Sequence, residues 1–169
     1  MNHNLNFDTY RDKVRGCWIG KIIGGTLGAP VEGHKRELDL TDFMQDDPRG
    51  VPNDDLDLQL IWLCLVEERG CRLRASDFVE WWLNCIPYDP DEYGVAKSNM
   101  RKGLRPPLTG SYNNWFKDCM GSPIRSEIWA CLAPASPQTA ARMAYEDAVV
   151  DHAGGESVHG EMFLSALQS

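Results

Sequence analysis

The sequence of 169 residues predicts an all-α fold, and three observations support that prediction. Sustained alternation of apolar and polar residues, which is typical of strands, is nearly absent. Where apolar residues recur regularly, they do so at steps of three and four, which is the spacing of one helix face. Glycine, proline and serine stand where helices would begin or end. The length predicts one all-α domain over residues 1–169 with a core of its own.

The first two predicted helices are defined by their apolar spacing. The first runs from Asp8 to about Ile23, where the stretch "GGTLGAPVEG" is expected to break it. The second runs from Asp55 to Glu68 and reads "DLDLQLIWLCLVEE". Because this stretch is apolar nearly all round after its first turn, we expect it to lie centrally in the fold.

The later helices are marked mainly by their caps. Ser76 is predicted to cap "DFVEWWLNC". The stretch "DEYGVAKSNMRKG" predicts a helix ending at Gly103, and "LRPPLTGSYNNW" predicts a loop. The stretch "SPIRSEIWACLAP" is typical of a short helix. Ser136 and Pro137 mark the start of the next helix, and a last helix is predicted from near Glu156 to the end.

Composition and charge narrow the function classes. The formal net charge of -8 argues against nucleic-acid binding, which needs a basic surface. The polar N-terminal stretch lacks the apolar segment of a signal peptide, and no apolar run approaches the ~20 residues that cross a bilayer. We therefore expect a cytoplasmic protein. The six cysteines are scattered without C-x-x-C spacing, so we interpret them as reduced packing residues.

The stretch "RGVPNDDLDLQLIWLCL" places Asp54, Asp55 and Asp57 at the start of the most apolar predicted helix. With Asn53 as the N-cap, these carboxylates would favour the exposed N–H groups and the positive end of the helix dipole. Clustered carboxylates at the edge of a core also repel one another unless a cation lies among them. This stretch alone leaves both interpretations open, a capped helix and a metal site.

Three other places could carry chemistry. Glu32 closes the glycine-rich stretch, although a lone glutamate there is usually just solvated. Gly121 and Ser122 precede a helix and could offer N–H groups to an anion, with Arg125 one turn further on. A plain capped helix start would have the same pattern. His152 is predicted to end the helix that starts at Ser136, and a histidine near a helix C-terminus is commonly a partner of the helix dipole.

The order of these motifs resembles one family. The stretches "RGCWIGKIIGGTLGAPVEG", "PNDDLDLQL", "MGSPIRSEIWACLAP" and "AYEDAVVDH" are similar, from about residue 10 to the end, to the ADP-ribosylglycohydrolase family. Within it, the chain most resembles the bacterial subgroup whose first metal motif reads P-N-D-D. The resemblance implies an all-α bundle around a binuclear magnesium centre, with manganese in some members. It also implies hydrolysis of the glycosidic bond that joins ADP-ribose to a side chain or to another ADP-ribose.

The resemblance assigns the acidic residues to metal binding and catalysis. Asn53, Asp54 and Asp55 match the first metal motif of the family. Glu32 matches the acidic residue that in parts of the family contacts the metal-bound water or the substrate. It implies that Glu32 or Asp55 takes the proton of the attacking water.

The resemblance assigns the other candidates to substrate binding. Gly121, Ser122 and Arg125 match the region that lies along the ADP-ribose. His152 matches the histidine near the substrate, and Asp151 stands where the family usually has a hydroxyl residue. The expected substrates are ADP-ribosylated proteins or small ADP-ribose conjugates.

One family motif is missing from the sequence. Family members carry a second metal motif, of the D-x-D-[T/S/N] kind, far downstream, whereas this chain ends at Ser169 without a helix stop signal. We therefore expect a chain truncated before that motif, with exposed apolar surface and a tendency to self-associate. Two functions remain open. One is a magnesium-dependent ADP-ribosylglycohydrolase, and the other is a non-catalytic helical module that binds ADP-ribose, a metal or a partner.

Overall fold

A computed structural model describes residues 5–42 and 53–169 of the protein, and these residues form helices and no strands. The described residues are 66% helical, which confirms the all-α prediction. The described α-helices are α1 (Phe7–Gly28), α2 (Asp54–Arg69), α3 (Ala75–Cys85), α4 (Asp91–Arg101), α5 (Leu108–Ser111), α6 (Glu127–Leu132), α7 (Pro137–Ala148) and α8 (Gly155–Gln168). Short 3-10 turns at Ala29–Val31 and Pro123–Arg125 complete the described elements.

The described residues divide into two compact units, one that ends at Asp57 and one that covers Leu58–Ser169. In the first unit, α1 begins at Phe7 and is capped by Asn6, whose side chain accepts a hydrogen bond from the Thr9 N–H at 3.0 Å. The helix does not break at Gly24 as predicted but continues to Gly28. Glycine weakens a helix by about 1 kcal/mol without stopping it. The chain leaves the α-helix only at the 3-10 turn that contains Pro30.

The second unit is built on an aromatic core. Trp62, Phe78, Trp82 and Trp129 are all 0% exposed, and they come from three helices, α2, α3 and α6. The Trp62 and Phe78 rings meet edge to face with centroids 4.9 Å apart, and Phe78 meets Trp129 in the same way at 5.9 Å. Such contacts add to the free energy of burial, so these rings fix α2, α3 and α6 against one another.

Helix α2 buries one face only. Leu58, Trp62 and Leu65 are fully buried, but Leu60 is 51% exposed and Leu63 is 37% exposed. The predicted central position is therefore confirmed for one side of the helix. On that side the Gln59 side chain reaches α6, where its Oε1 accepts from the Ile128 N–H at 2.8 Å and its Nε2 donates to Glu127 at 2.9 Å.

Some predicted helix boundaries are confirmed and others are wrong. Helix α4 ends before Gly103, which has a φ of 85° as a terminating glycine requires, and α7 begins at Pro137. Ser76 is not a cap, because α3 begins one residue earlier and the Arg74 N–H donates to the Asp77 carboxylate at 2.7 Å. The predicted loop after α4 contains the short helix α5.

Two predictions about apolar residues have different outcomes. The six cysteines all lie among the described residues and form no disulfide, but four of them are exposed, so the interpretation as packing residues is wrong for Cys64, Cys71, Cys85 and Cys119. The expected exposed apolar surface is present, with Trp115 90% and Phe163 64% exposed. Self-association stays a prediction.

None of the helices described between residues 5 and 42 or from residue 53 onward is long and apolar enough to cross a membrane.

Candidate functional site

The acidic motif lies at the start of α2. Asp54, Asp55 and Asp57 occupy its first turn, where Asp54 is exposed and the other two are half-buried. The Asn53 N–H donates to the Asp57 carboxylate at 3.3 Å, and the Asn53 carbonyl accepts from the N–H of Asp57 at 2.8 Å. The predicted N-cap residue Asn53 therefore stands directly before α2, and its N–H is bound by the Asp57 carboxylate. Asp54 and Asp55 stand at the N-terminal end of the helix dipole.

A glycine of α1 determines where the Asn53 side chain can lie. A Cβ atom added to Gly25 would overlap Nδ2 of Asn53, whereas one added to Gly24 would meet nothing within 4 Å. Gly25 is therefore the position at which α1 makes room for the first residue of the predicted metal motif. Glu32, the predicted acid after the 3-10 turn, is exposed.

The oxygen donors of this motif fit magnesium in kind. Magnesium prefers carboxylate and amide oxygens and keeps several waters, and Asn53, Asp54 and Asp55 offer such oxygens in consecutive positions. Across residues 5–42 and 53–169, however, no three or more His, Cys, Asp and Glu side chains group closely enough to hold a metal ion. The oxygens of this motif therefore suit magnesium in kind, without forming a complete group of ligands among the described residues.

The predicted substrate residues come together in the second unit, around a buried arginine. Arg125 is 0% exposed. Its Nε lies 3.0 and 3.1 Å from the two carboxylate oxygens of Asp147, and its Nη2 donates to Asp151 at 2.5 Å. Its Nη1 donates to Asp151 and to the Gly121 carbonyl, both at 3.0 Å. The guanidinium also lies 5.5 Å from the centre of the Trp82 ring. The arginine therefore ties the Gly121 turn to the end of α7.

The same cluster holds a further buried carboxylate on α8. Glu161 is 0% exposed, accepts a hydrogen bond from the Ser122 hydroxyl, and accepts another from Trp129 Nε1 at 3.0 Å. Trp129 Nε1 also lies 3.1 Å from Asp147. Ser122 is thus anchored to α8, with its side chain turned into the interior.

Burial and charge separate the pKa values of these carboxyls. Burial alone would raise the pKa of Asp151, but the Arg125 guanidinium and His152 lower it to about 2. Burial and the neighbouring charge of Asp147 raise the pKa of Glu161 well above its usual range. Burial also raises the pKa of Asp147, although Arg125 opposes it. Asp151 is therefore the ionised partner of the arginine, and Glu161 holds a proton more readily than the others.

His152 lies at the edge of this cluster beside a carboxylate from α4. The histidine is 0% exposed, its Nδ1 lies 3.2 Å from Asp151, and its Nε2 lies 3.7 Å from Oε1 of Glu92. Neither contact has hydrogen-bond geometry. A Cβ atom on Gly121 would overlap Glu92 Oε1, so the glycine leaves the space that this carboxylate fills. Burial raises the pKa of Glu92.

Sequence reasoning missed three acidic residues of this cluster: Asp147, Glu161 and Glu92. Asp147 and Asp151 stand four residues apart in "AYEDAVVDH", a spacing that places two side chains on one helix face. That spacing beside small residues was the available signal for the two aspartates. No such spacing marks Glu161 or Glu92 in the sequence.

These features describe an all-helical protein with carboxylate and amide oxygens at one helix start and an arginine–carboxylate cluster in the core of its second unit. The family model described as ADP-ribosylglycohydrolase matches residues 6–169. The chain therefore belongs to the ADP-ribosylglycohydrolase family, whose members are hydrolases of the metal-dependent kind. No significant match was found among curated proteins or among solved structures. The bacterial subgroup stays a prediction.

Proposed function

We propose that this protein hydrolyses the glycosidic bond between ADP-ribose and a modified protein or small molecule, with magnesium at the start of α2. The observation that carries the proposal is the family match, which spans residues 6–169 and includes every predicted site residue. The predicted metal, catalytic and substrate residues keep these roles here as proposals.

The proposed chemistry divides between the two groups of residues. Asn53, Asp54 and Asp55 would hold the ion through oxygen atoms, and the ion when bound would supply positive charge that orients ribose hydroxyls and acidifies water. Glu32 or Asp55 accepts a proton from the attacking water. The water oxygen forms a bond to the anomeric carbon of the ribose as the bond to the target breaks, and the target leaves with the proton that the carboxylate took from the water.

The substrate residues are all buried, and they have different proposed parts because their hydrogen-bond partners differ. The guanidinium of Arg125 is closed off from solvent and fully engaged with Asp147, Asp151 and the Gly121 carbonyl. We propose that it supports the site by fixing the Gly121 turn, which places the backbone of Gly121 and Ser122 along the ADP-ribose. His152, whose two ring nitrogens have no hydrogen bond among the described residues, is proposed to face the substrate.

A second candidate function is favoured by one observation. The described residues hold no group of three metal-binding side chains, so the chain could bind ADP-ribose or a cation weakly without catalysis. This candidate is a non-catalytic helical module. It differs from the first in requiring binding without turnover.

The test is release of free ADP-ribose from ADP-ribosyl-arginine and ADP-ribosyl-serine peptides, with magnesium and with EDTA. Asp54→Asn/Asp55→Asn removes both motif carboxylates, and Glu67→Gln/Glu68→Gln removes two exposed carboxylates from the last turns of the same helix as the matched control. We expect magnesium-dependent release that the motif variant loses and the control keeps. Circular dichroism of each variant checks that the helices are intact.

The outcomes separate the two candidate functions. Absence of release by a folded wild-type chain, with calorimetric binding of ADP-ribose, would replace the enzyme by the binding module. Release that persists in EDTA and in the motif variant would reject the metal role of Asn53, Asp54 and Asp55.

A further inference from the structure

A cleft in the second unit is lined by arginines that belong to neither group of candidate residues. It has a volume of about 360 Å³ and lies between the segment that joins α2 to α3 and the side of α7. Arg72 and Arg74 line it from the joining segment, and Arg142 lines it from α7. Its volume falls within the range of pockets that hold small molecules.

The only acid that lines the cleft is already engaged. Glu146 accepts from the Ala75 N–H at 2.8 Å and from Arg74 Nη1 at 2.9 Å, so its carboxylate caps α3 and neutralises one arginine. Arg72 and Arg142 are exposed and have no ion-pair or hydrogen-bond partner among the residues that the structure describes. Two unpaired guanidinium groups therefore face one cleft.

This arrangement is unusual for the chain as a whole. The protein has 25 acidic and 17 basic residues, so a place where three arginines meet one glutamate runs against its overall charge. Like charges in one cleft repel each other, and an anion between them removes that cost. Leu73, which is 9% exposed, and the half-buried Met143 add an apolar wall that lowers the local dielectric and strengthens such contacts.

We infer that this cleft is a binding site for a phosphate monoester dianion, gripped by Arg72 and Arg142. Guanidinium groups bind phosphate oxygens in pairs, and two of them match the double charge of a monoester better than a single-charged diester. The inference does not rest on the proposed function, because none of the lining residues takes part in the proposed chemistry.

The test is a titration followed by amide chemical shifts in 15N-labelled protein. The probes are methyl phosphate, a phosphoserine peptide and, as the singly charged control, dimethyl phosphate. We expect saturable shifts confined to residues 72–75 and 142–146 with the two monoesters, and binding at least about tenfold weaker with the diester. Tighter binding of the peptide would assign the phosphate to a protein partner, and equal binding would assign it to a small molecule.

Matched variants connect the shifts to the cleft. Arg72→Gln/Arg142→Gln removes the two unpaired charges, and Arg105→Gln/Lys117→Gln removes two exposed charges elsewhere. We expect the first pair to weaken monoester binding by about tenfold or more and the second pair to leave it unchanged. Shifts that never saturate, that centre on other residues, or that survive in the first pair would overturn the inference. The substituted side chains are exposed, so both proteins should fold, and thermal unfolding checks this.

Discussion

The two groups of acidic side chains in this protein differ in their burial and in how their negative charge is compensated. The carboxylates at the start of α2 lie at or near the surface and are half-buried at most. The carboxyls around Arg125 are 0% exposed, and the protein itself neutralises them. The carboxylates at the start of α2 remain accessible to water and to a cation, whereas the carboxyls around Arg125 are paired within the core. Burial, and not the number of aspartates, therefore separates a candidate ligand site from a structural cluster.

The largest effect should come from breaking the buried group at Asp151. The change Asp151→Asn leaves the Arg125 guanidinium in the core with only Asp147 as a full ion-pair partner. We expect a loss of about 3–5 kcal/mol in the free energy of unfolding at pH 7, because an uncompensated buried charge is costly. Urea denaturation measures it. An exposed carboxylate, changed in Glu67→Gln, should give almost no loss.

The same variant tests the sign of the pH dependence. The pKa of Asp151 is about 2 in the folded protein, below the ordinary unfolded value of about 3.9. The stabilisation from its ionised form is present above pH ~4 and is lost as the pH falls toward 2. Wild type and Asp151→Asn should therefore converge in stability on acidification. A constant difference between pH 7 and pH 3 would show that charge is not the reason for the loss.

A smaller effect should come from Glu161, the carboxyl of the cluster that holds its proton most readily. Because burial raises its folded pKa, the wild type loses stability from this group as the pH rises above the unfolded value of about 4.3. Glu161→Gln cannot ionise, and its amide oxygen can still accept from Trp129 Nε1. We expect this variant to match or exceed the wild type by about 1 kcal/mol at pH 8, with the difference shrinking toward pH 5.

Thermal unfolding across that pH range provides the measurement, with the exposed Glu156→Gln as the control. A variant that is several kcal/mol less stable than the wild type at pH 8 would mean that ionised Glu161 stabilises the core.

The smallest effect on stability, but a specific one on metal binding, should come from the two adjacent glycines of α1. Alanine at either Gly24 or Gly25 should strengthen the helix by about 0.5–1 kcal/mol. At Gly25 alone, the added methyl group displaces the Asn53 side chain. We expect Gly25→Ala to bind magnesium at least about tenfold more weakly than Gly24→Ala, since residues that support metal ligands commonly have effects of this size.

Isothermal titration calorimetry of the two alanine variants with magnesium chloride would measure this difference. Equal affinities would separate Asn53 from the metal site. The proposed metal site at the start of α2 would then depend on Asp54 and Asp55 alone.

Most of the helices could be predicted because their signals are local. The apolar spacing of α2, the glycine after α4 and the Ser-Pro start of α7 depend on residues a few positions apart, and the structure confirms them. The end of α1 was predicted too early because a glycine pair weakens a helix but does not terminate it. Ser76 failed as a cap because Asp77 reaches back to Arg74 instead.

The buried cluster could not be predicted in the same way because its contacts are distant in sequence. Arg125 meets carboxylates 22 and 26 residues further on, and Ser122 meets one 39 residues away. The sequence identified Arg125, Ser122 and His152 through family resemblance, which carries no information on burial. That Arg125 is enclosed, and that Glu92 lies beside His152, follow only from how the helices pack.

The hydrogen bonds from the Gln59 side chain to α6 limit how α2 and α6 can move apart in the core. Helix α6 has only six residues, and one of its first-turn N–H groups, that of Ile128, is bonded to the side chain of a residue 69 positions earlier. This amide can therefore exchange its hydrogen with solvent only after the buried face of α2 has separated from α6. The hydrogen-exchange rate of the Ile128 amide would report how often these two helices separate, although its hydrogen bond is not one of the backbone hydrogen bonds of either helix.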